Sequence, residues 1–373
     1  MNLYFDNAAT TRPKPACVGD AMARALIACG NPGRGGHVYA MTAARVMWEA
    51  RELAAAFFGL ENPENVIFTL NCTESINMVL HGALKKGEHV VVSDVEHNAV
   101  MRPLNEWHIP HTVVRTVPGD AVATTAAFAA AIRPQTRLIF CTHASNVTGQ
   151  ILPIRAIGEL AHRRGLAFAV DAAQTAGVLP IHMREDHVDF LCVPGHKGLY
   201  GPSGTGLLLS SQNLPLEPFK VGGTGSQSLL PQQPDEWPEH MESGTPNVVG
   251  IAGLKAAINW LRPRQEAIAS HEFALGKRLW EMLRSTDGVT VFSECPSPGR
   301  CVPLVLFRVE GESSEATAER LGEVGVAVRA GLHCAPAGHR KLGTLPDGGV
   351  RAAPGAFTAA EDVDRFCRFV KKL

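Results

Sequence analysis

Residues 188–210 read VDFLCVPGHKGLYGPSGTGLLLS. An apolar run ends at Pro194-Gly195, a lysine follows among glycines, and a second apolar run closes the stretch. Short apolar runs bounded by Gly and Pro read as buried strands. Strands without a polar face belong to a sheet covered on both sides. The same kind of run recurs at VIFTL (66–70), VVVSDVEHN (90–98), LIFCTHASN (138–146) and LAFAVDAAQ (166–174). Helical patterns lie between them. AARVMWEARELAAAFFG (43–59) ends on Gly59 as a C-cap, and IRAIGELAHRRG (154–165) joins two strands. NCTESINMVLHGAL (71–84) carries capping-box spacing at Asn71 and Glu74. The expected fold is α/β, a mostly parallel sheet sandwiched by helices.

After about residue 250 the pattern changes. A long helical region (250–284) precedes VTVF, PLVLFRV and VAVRAG, with helical SSEATAERLGE among them and a final helix capped by Thr358 and Glu361. This reads as a smaller α+β domain. The expected division is a large domain over 14–250 and a small one from 1–13 and 251–373. A Gly-, Pro- and Gln-rich segment, 219–247, is a linker candidate, long for a loop within a compact domain.

The chain has 373 residues, 45% of them hydrophobic, and a formal net charge of −1. No basic stripe suggests nucleic acid. No run of 18 apolar residues spans a membrane, and MNLYFDNAATT lacks the features of a signal peptide. The nine cysteines are irregularly spaced without a C-x-x-C. That argues for a reducing, cytoplasmic setting and against a disulfide framework or a metal site.

Polar groups cluster where strands run out: Glu96-His97-Asn98, Ser145-Asn146, Asp171 to Gln174, and Gly195-His196-Lys197. Open α/β sheets bind ligands beyond the carboxyl ends of their strands. A lysine in isolation is a solvated surface group, but at a glycine-lined strand end it can be desolvated and form Schiff bases. Asp171 alone would be an N-cap; in a dry site beside Lys197 it needs a cation, and a pyridinium nitrogen would serve. Such a pairing makes pyridoxal phosphate an electron sink. Cys72 and Thr73, at a helix start, offer backbone donors to a phosphate. His97 could stack on a cofactor ring and move protons, or simply pack. In VRAGLHCAPAGH (328–339), Cys334 sits on a loop of small residues; a lone cysteine is ordinarily a buried hydrophobe.

With these residues together, the chain resembles the class V aminotransferase family of cysteine desulfurases and selenocysteine lyases. YFDNAATT, EHN, SNVTG, VDAAQTAG, GHKGLYGPSGTG, ESGTPN and RAGLHCA occur in the family's order. The resemblance implies a fold-type I transferase using pyridoxal 5'-phosphate, held covalently by Lys197. It implies that Asp171 pairs with the pyridine nitrogen, Gln174 bonds the phenolic oxygen and His97 stacks on the ring. Thr73, the amide of Cys72 and His196 would hold the phosphate. Thr245 would reach the phosphate of the other subunit of a homodimer. Asn146 and Arg351 would bind the substrate carboxylate, and Arg329 would join them at the substrate site, near the thiol. Cys334 would accept sulfur on a mobile loop, its thiolate favoured by Arg329 or His333, and pass it to an acceptor protein. Two departures stand out: Pro194 lies where relatives often have Ser or Thr, and AAPGAFT follows Arg351. The implied activity is cysteine desulfuration. Alternatives are selenocysteine lyase, a lyase or aminotransferase without sulfur transfer, and a non-catalytic partner-binding subunit. A nicotinamide dehydrogenase lacks its G-x-G-x-x-G.

Overall fold

The computed structural model describes residues 2–33, 35–211 and 215–373. Its strands are β1 (Leu3–Tyr4), β2 (Val66–Thr69), β3 (His89–Ser93), β4 (His111–Val114), β5 (Thr136–Thr142), β6 (Ala167–Asp171), β7 (Phe190–Pro194), β8 (Gly206–Ser210), β9 (Val289–Val291), β10 (Val305–Val309), β11 (Val326–Ala327) and β12 (Val350–Ala352). Its helices are α1 (Ala16–Ala28), α2 (Val38–Phe58), α3 (Cys72–Gly82), α4 (Asn98–Glu106), α5 (Ala121–Ala131), α6 (Ile154–Arg163), α7 (Val248–Leu261), α8 (Gln265–Arg284), α9 (Ser314–Glu323), α10 (Pro336–Leu342) and α11 (Ala360–Val370).

Among the described residues, seven strands form the main sheet in the order β2-β8-β7-β6-β5-β3-β4. From β7 to β4 every pairing is parallel, and β8 runs antiparallel to both β7 and β2. The reversal at β8 has a local cause: no helix lies between β7 and β8 to carry the chain back across the sheet. The period of two then splits each strand between two cores. Phe168, Val170, Leu207 and Leu209 face α2, α6 and α7. Ala167, Ala169 and Leu208 face α3 and α4. This sandwich is the mostly parallel α/β architecture expected from the apolar runs.

The C-terminal third differs in detail from its reading. The helical region 250–284 is broken into α7 and α8 by a turn at Arg262–Arg264, where Pro263 cannot continue the ladder. β12, β10 and β9 make a three-stranded antiparallel sheet. VAVRAG divides: its first half, β11, pairs in parallel with β1, Leu3 opposite Val326, while Arg329 bridges antiparallel to Arg351 of β12. The last helix starts one residue late: Ala359 N donates to Asp362 Oδ2 at 3.1 Å, while Thr358 Oγ1 accepts from Gly355 N. At α3, Asn71 accepts from Glu74 N as expected, but the return bond from Glu74 goes to Leu70 N. Residues 219–247 hold no helix or strand, yet their end is tied down. Glu242 pairs with buried Arg51 at 2.7 Å and accepts from Phe68 N of β2. No helix among the described residues is long and apolar enough to cross a membrane.

Candidate active site

β5, β6 and β7 are neighbours and end at Thr142, Asp171 and Pro194, so the loops behind them share one rim. Two glycines bring the loops of Asp171 and Lys197 into backbone contact. Gly177 has φ +87°, and a Cβ there would lie 2.2 Å from Gly198 O. A Cβ on Gly198 would lie 2.4 Å from Ala176 O. Gly206 lets the start of α3 descend onto β8, since its Cβ would meet Asn71 backbone at 2.7 Å. The rim encloses a cavity lined by Thr73, His97, Asn146, Asp171, His196 and Lys197. Gln174 and Pro194 also line it, and Gln174 Nε2 is held by Ala8 O at 3.1 Å.

Burial, and then the Arg351 charge, push the Lys197 amine below its ordinary pKa, against the pull of Asp171. Asp171 is buried. Its Oδ1 accepts from Ala173 N at 2.8 Å and from the Cys72 thiol at 3.4 Å; Oδ2 takes no hydrogen bond among the described residues. Burial and the Asp171 charge raise the Cys72 thiol well above its usual range, so that sulfur stays protonated. His97 caps α4: Nδ1 accepts from Ala99 N at 3.0 Å, which puts the ring hydrogen on Nε2. Burial lowers its pKa. Burial, Lys197 and Lys14 hold His196 down to about 4, so that ring is neutral, and its buried Nδ1 has no partner among the described residues.

Arg351 is 3% exposed. Its Nη1 donates to Asn146 O at 3.0 Å, its Nη2 lies 3.4 Å from Asp6 Oδ1, and its Nε has no partner among the described residues. Burial pulls even this guanidinium down to about 10. Arg329 does not face the cavity as a free cation; it is half-exposed and paired with Asp6 at 3.0 Å. Cys334 is exposed. Its loop is bonded to the rim through the backbone: Cys334 O accepts from Asn98 N and His333 O from Asn146 Nδ2, each at 2.7 Å. His333 and Cys334 are both left-handed, φ 51° and 55°, which costs about 1–2 kcal/mol per residue. His333 is no source of positive charge, because burial and Arg351 push it down to about 3. Thr245 is exposed and does not line this chain's own cavity.

Several contributors were given no role in the sequence reading, although Glu96 was noted at its strand end. Asp6, in YFDNAATT, is the carboxylate shared by Arg329 and Arg351. Thr10, Thr11 and Lys14 converge on the carbonyl of His196, Lys14 Nζ at 2.6 Å. Glu96, beside His97, is fully buried and receives Thr142 N and Ser93 Oγ; burial raises its carboxyl to about 8. Asp6, Thr10 and Thr11 lie in YFDNAATT, a motif of the resemblance, and Glu96 at a strand end, but Lys14 belongs to no motif read from the sequence.

The family model of aminotransferase class-V matches residues 3–366. The chain belongs to the class-V aminotransferase family. A probable cysteine desulfurase of Methanothermobacter thermautotrophicus is 33% identical to this class-V chain over 97% of it and 92% of the relative. The apo structure of a cysteine desulfurase from Thermococcus onnurineus NA1 matches at TM-score 0.91 and 30% identity, covering 100% of this chain and 94% of that one. A cysteine desulfurase of Escherichia coli matches at TM-score 0.85 and 28% identity, covering 100% of this chain and 94% of that one. The cofactor of this class-V chain is pyridoxal 5'-phosphate. Its residues fit that group. His196 Nδ1 is an orphaned buried atom, and the first-turn amides of Cys72 and Thr73 have no i−4 carbonyl to bond; a phosphate would satisfy all three. The free Oδ2 of Asp171 suits a pyridinium hydrogen, and the desolvated Lys197 suits an aldehyde.

Proposed function

We propose that this chain is a pyridoxal-phosphate-dependent cysteine desulfurase that converts L-cysteine to L-alanine and keeps the sulfur as a persulfide on Cys334. One observation carries the reading. A buried, weakened lysine base and a buried carboxylate share a rim to which the backbone of the loop bearing an exposed thiol is bonded through Asn98 and Asn146. The names of the relatives support the substrate.

When bound, the cofactor withdraws electrons from the substrate's α-carbon. Lys197 would hold it, with Asp171 at its nitrogen, Gln174 at its phenolic oxygen and His97 against its ring. Cys72 N, Thr73 and His196 would take its phosphate. Thr73 and Thr142 are the hydroxyls on the cavity wall that remain where Pro194 replaces one. Arg351, helped by Asn146, would grip the substrate carboxylate with two parallel N–H bonds. Its spare Nε and buried setting favour an anion there. Lys197, kept neutral more readily by burial, takes the Cα proton. The Cys334 thiolate attacks the substrate sulfur, an S–S bond forms and the C–S bond breaks. Its electron pair stays with carbon, which takes a proton to become the methyl group of alanine. Arg329 would act on the thiolate at longer range through its charge.

The same reading makes the chain a homodimer in which Thr245 serves the partner's phosphate site, as its exposure away from its own cavity suggests. Residues 14–250 would be the cofactor-binding unit, with 1–13 and 251–373 a smaller unit bearing Cys334 and Arg351. An acceptor protein would collect the sulfur, in the cytoplasm if the nine free thiols are a guide.

Borohydride reduction of the holoenzyme should leave a pyridoxyl group on the Lys197 peptide. Wild type should release alanine from L-cysteine and carry persulfide on Cys334, and Cys334→Ala should lose L-cysteine turnover. An unlabelled Lys197 peptide, or full L-cysteine turnover by Cys334→Ala, refutes the proposal. Running L-selenocysteine in parallel measures which substrate is preferred.

A further inference from the structure

The Cys334 loop is bent into a conformation that its residues do not favour. Two consecutive residues with side chains, His333 and Cys334, sit in the left-handed region, where glycine is the usual occupant. Such strain persists only where surrounding contacts over-determine it, and it gathers at functional positions. Behind the loop lies a buried pair of imidazoles that the reaction does not consume. His333 Nδ1 is 3.2 Å from His339 Nε2, His339 Nδ1 is 2.8 Å from Thr344 Oγ1, and His333 Nε2 is 3.2 Å from Arg329 O. His339 and Thr344 are fully buried.

The direction of this chain follows from its ends. The Arg329 carbonyl can only accept, so His333 Nε2 carries a hydrogen and Nδ1 of the neutral ring must accept. His339 Nε2 therefore donates, and His339 Nδ1 accepts the Thr344 hydroxyl hydrogen. Both rings are neutral: burial leads in each case, and nearby arginines push His333 to about 3 and His339 to about 4. A one-way chain thus runs from Thr344 to the backbone of Arg329, across the residue preceding the thiol. α10, which carries His339, is itself anchored: Lys341 Nζ bonds Asp94 Oδ1 at 3.1 Å and Thr116 O at 2.7 Å.

We propose that His339 is a positioning residue for Cys334: oriented by Thr344, it holds His333 and the left-handed turn that fixes the thiol against the rim formed by Asn98 and Asn146. It touches neither substrate nor cofactor and acts through His333. The inference rests on Cys334 being the sulfur acceptor. It requires that the loop be stiff when the thiol attacks, rather than swing freely.

The test uses holoenzyme as wild type, His339→Leu, His339→Gln, Thr344→Val and Cys334→Ala. His339→Leu keeps bulk but removes both ring nitrogens. It is expected to lower kcat for alanine release from L-cysteine by about tenfold or more while KM stays within about twofold. The cofactor absorption band should be unchanged, and amide exchange should rise across 329–336. His339→Gln, which has an N–H near the Nε2 position, should recover most of the rate. Thr344→Val, nearly isosteric, should reduce kcat in the same direction by a smaller factor. The proposal is overturned if His339→Leu and Thr344→Val both keep wild-type kcat. It is equally overturned if activity falls only in step with the cofactor band, or if His339→Gln is no better than His339→Leu. Full turnover by Cys334→Ala would instead sink the assignment of the sulfur acceptor. The amide-exchange comparison would then still report whether His339 holds the loop.

Discussion

Gly177→Ala should separate packing of the active-site loops from ordinary backbone strain. Gly177 lies in VDAAQTAG with φ +87°, and a Cβ would sit 2.2 Å from Gly198 O and 2.5 Å from Gly198 C. A relaxed carbon contact is about 3.5 Å, so the two loops must part by roughly 1 Å. The left-handed backbone costs about 1–2 kcal/mol once a Cβ is present. Forcing the methyl group between packed backbones costs about 1–3 kcal/mol more. Together they predict a loss of about 2–5 kcal/mol in chemical denaturation. Gly165→Ala is the control: φ is +65°, and a Cβ there meets nothing within 4 Å, so it carries the strain term alone. The functional consequence should be sharper than the loss of stability. Gly198 adjoins Lys197, and a misplacement of about 1 Å at a reacting group can cost about 100-fold in rate. Alanine release from L-cysteine should therefore show a large fall in kcat for Gly177→Ala and almost none for Gly165→Ala. Equal stability and equal kcat in the two variants would refute the reasoning.

Glu242→Ala should destabilise the chain by about 3 kcal/mol, because it strands the buried Arg51 charge and leaves Phe68 N without its acceptor; denaturation measures this, and limited proteolysis should find new cleavage within 219–247. A loss below about 1 kcal/mol would mean the pair is not what secures that segment. Glu96→Gln should change the slope of stability with pH. The folded carboxyl titrates at about 8, above its unfolded value of 4.5, so the folded state binds more protons between them. Its contribution is fully present below pH 4.5 and is lost as pH rises through about 8. Denaturation at several pH values should show wild type losing stability across that window relative to Glu96→Gln; parallel curves would contradict the burial argument.

The elements that proved legible in the residues share a local cause. Alternation of apolar runs with helical patterns marked six of the seven strands of the main sheet, and the edge strand β4 was not among them. The Gly-rich loop around Lys197 and the strand end at Asp171 placed the two central groups of the site. Gly59 stopped its helix as a left-handed cap, φ 68°. Each of these is written in ten or twenty consecutive residues, because periodicity and glycine chemistry act over that range. The starting point of α11 was misread for the complementary reason: Thr358 carries the capping hydroxyl, but folding commits it to Gly355 N, and the helix begins behind Ala359, whose N–H is taken by Asp362.

Consecutive residues alone thus marked the layered α/β architecture and the strand-end positions of Asp171 and Lys197. Folding decided what lies far apart in the chain. Asp6 meets Arg351 across 345 positions, β11 pairs with β1 at the far end of the chain, and Lys14 reaches His196. Such pairings depend on loop closure and on which buried polar atoms find partners, and those are properties of the packed chain, set only when distant segments meet in a common core.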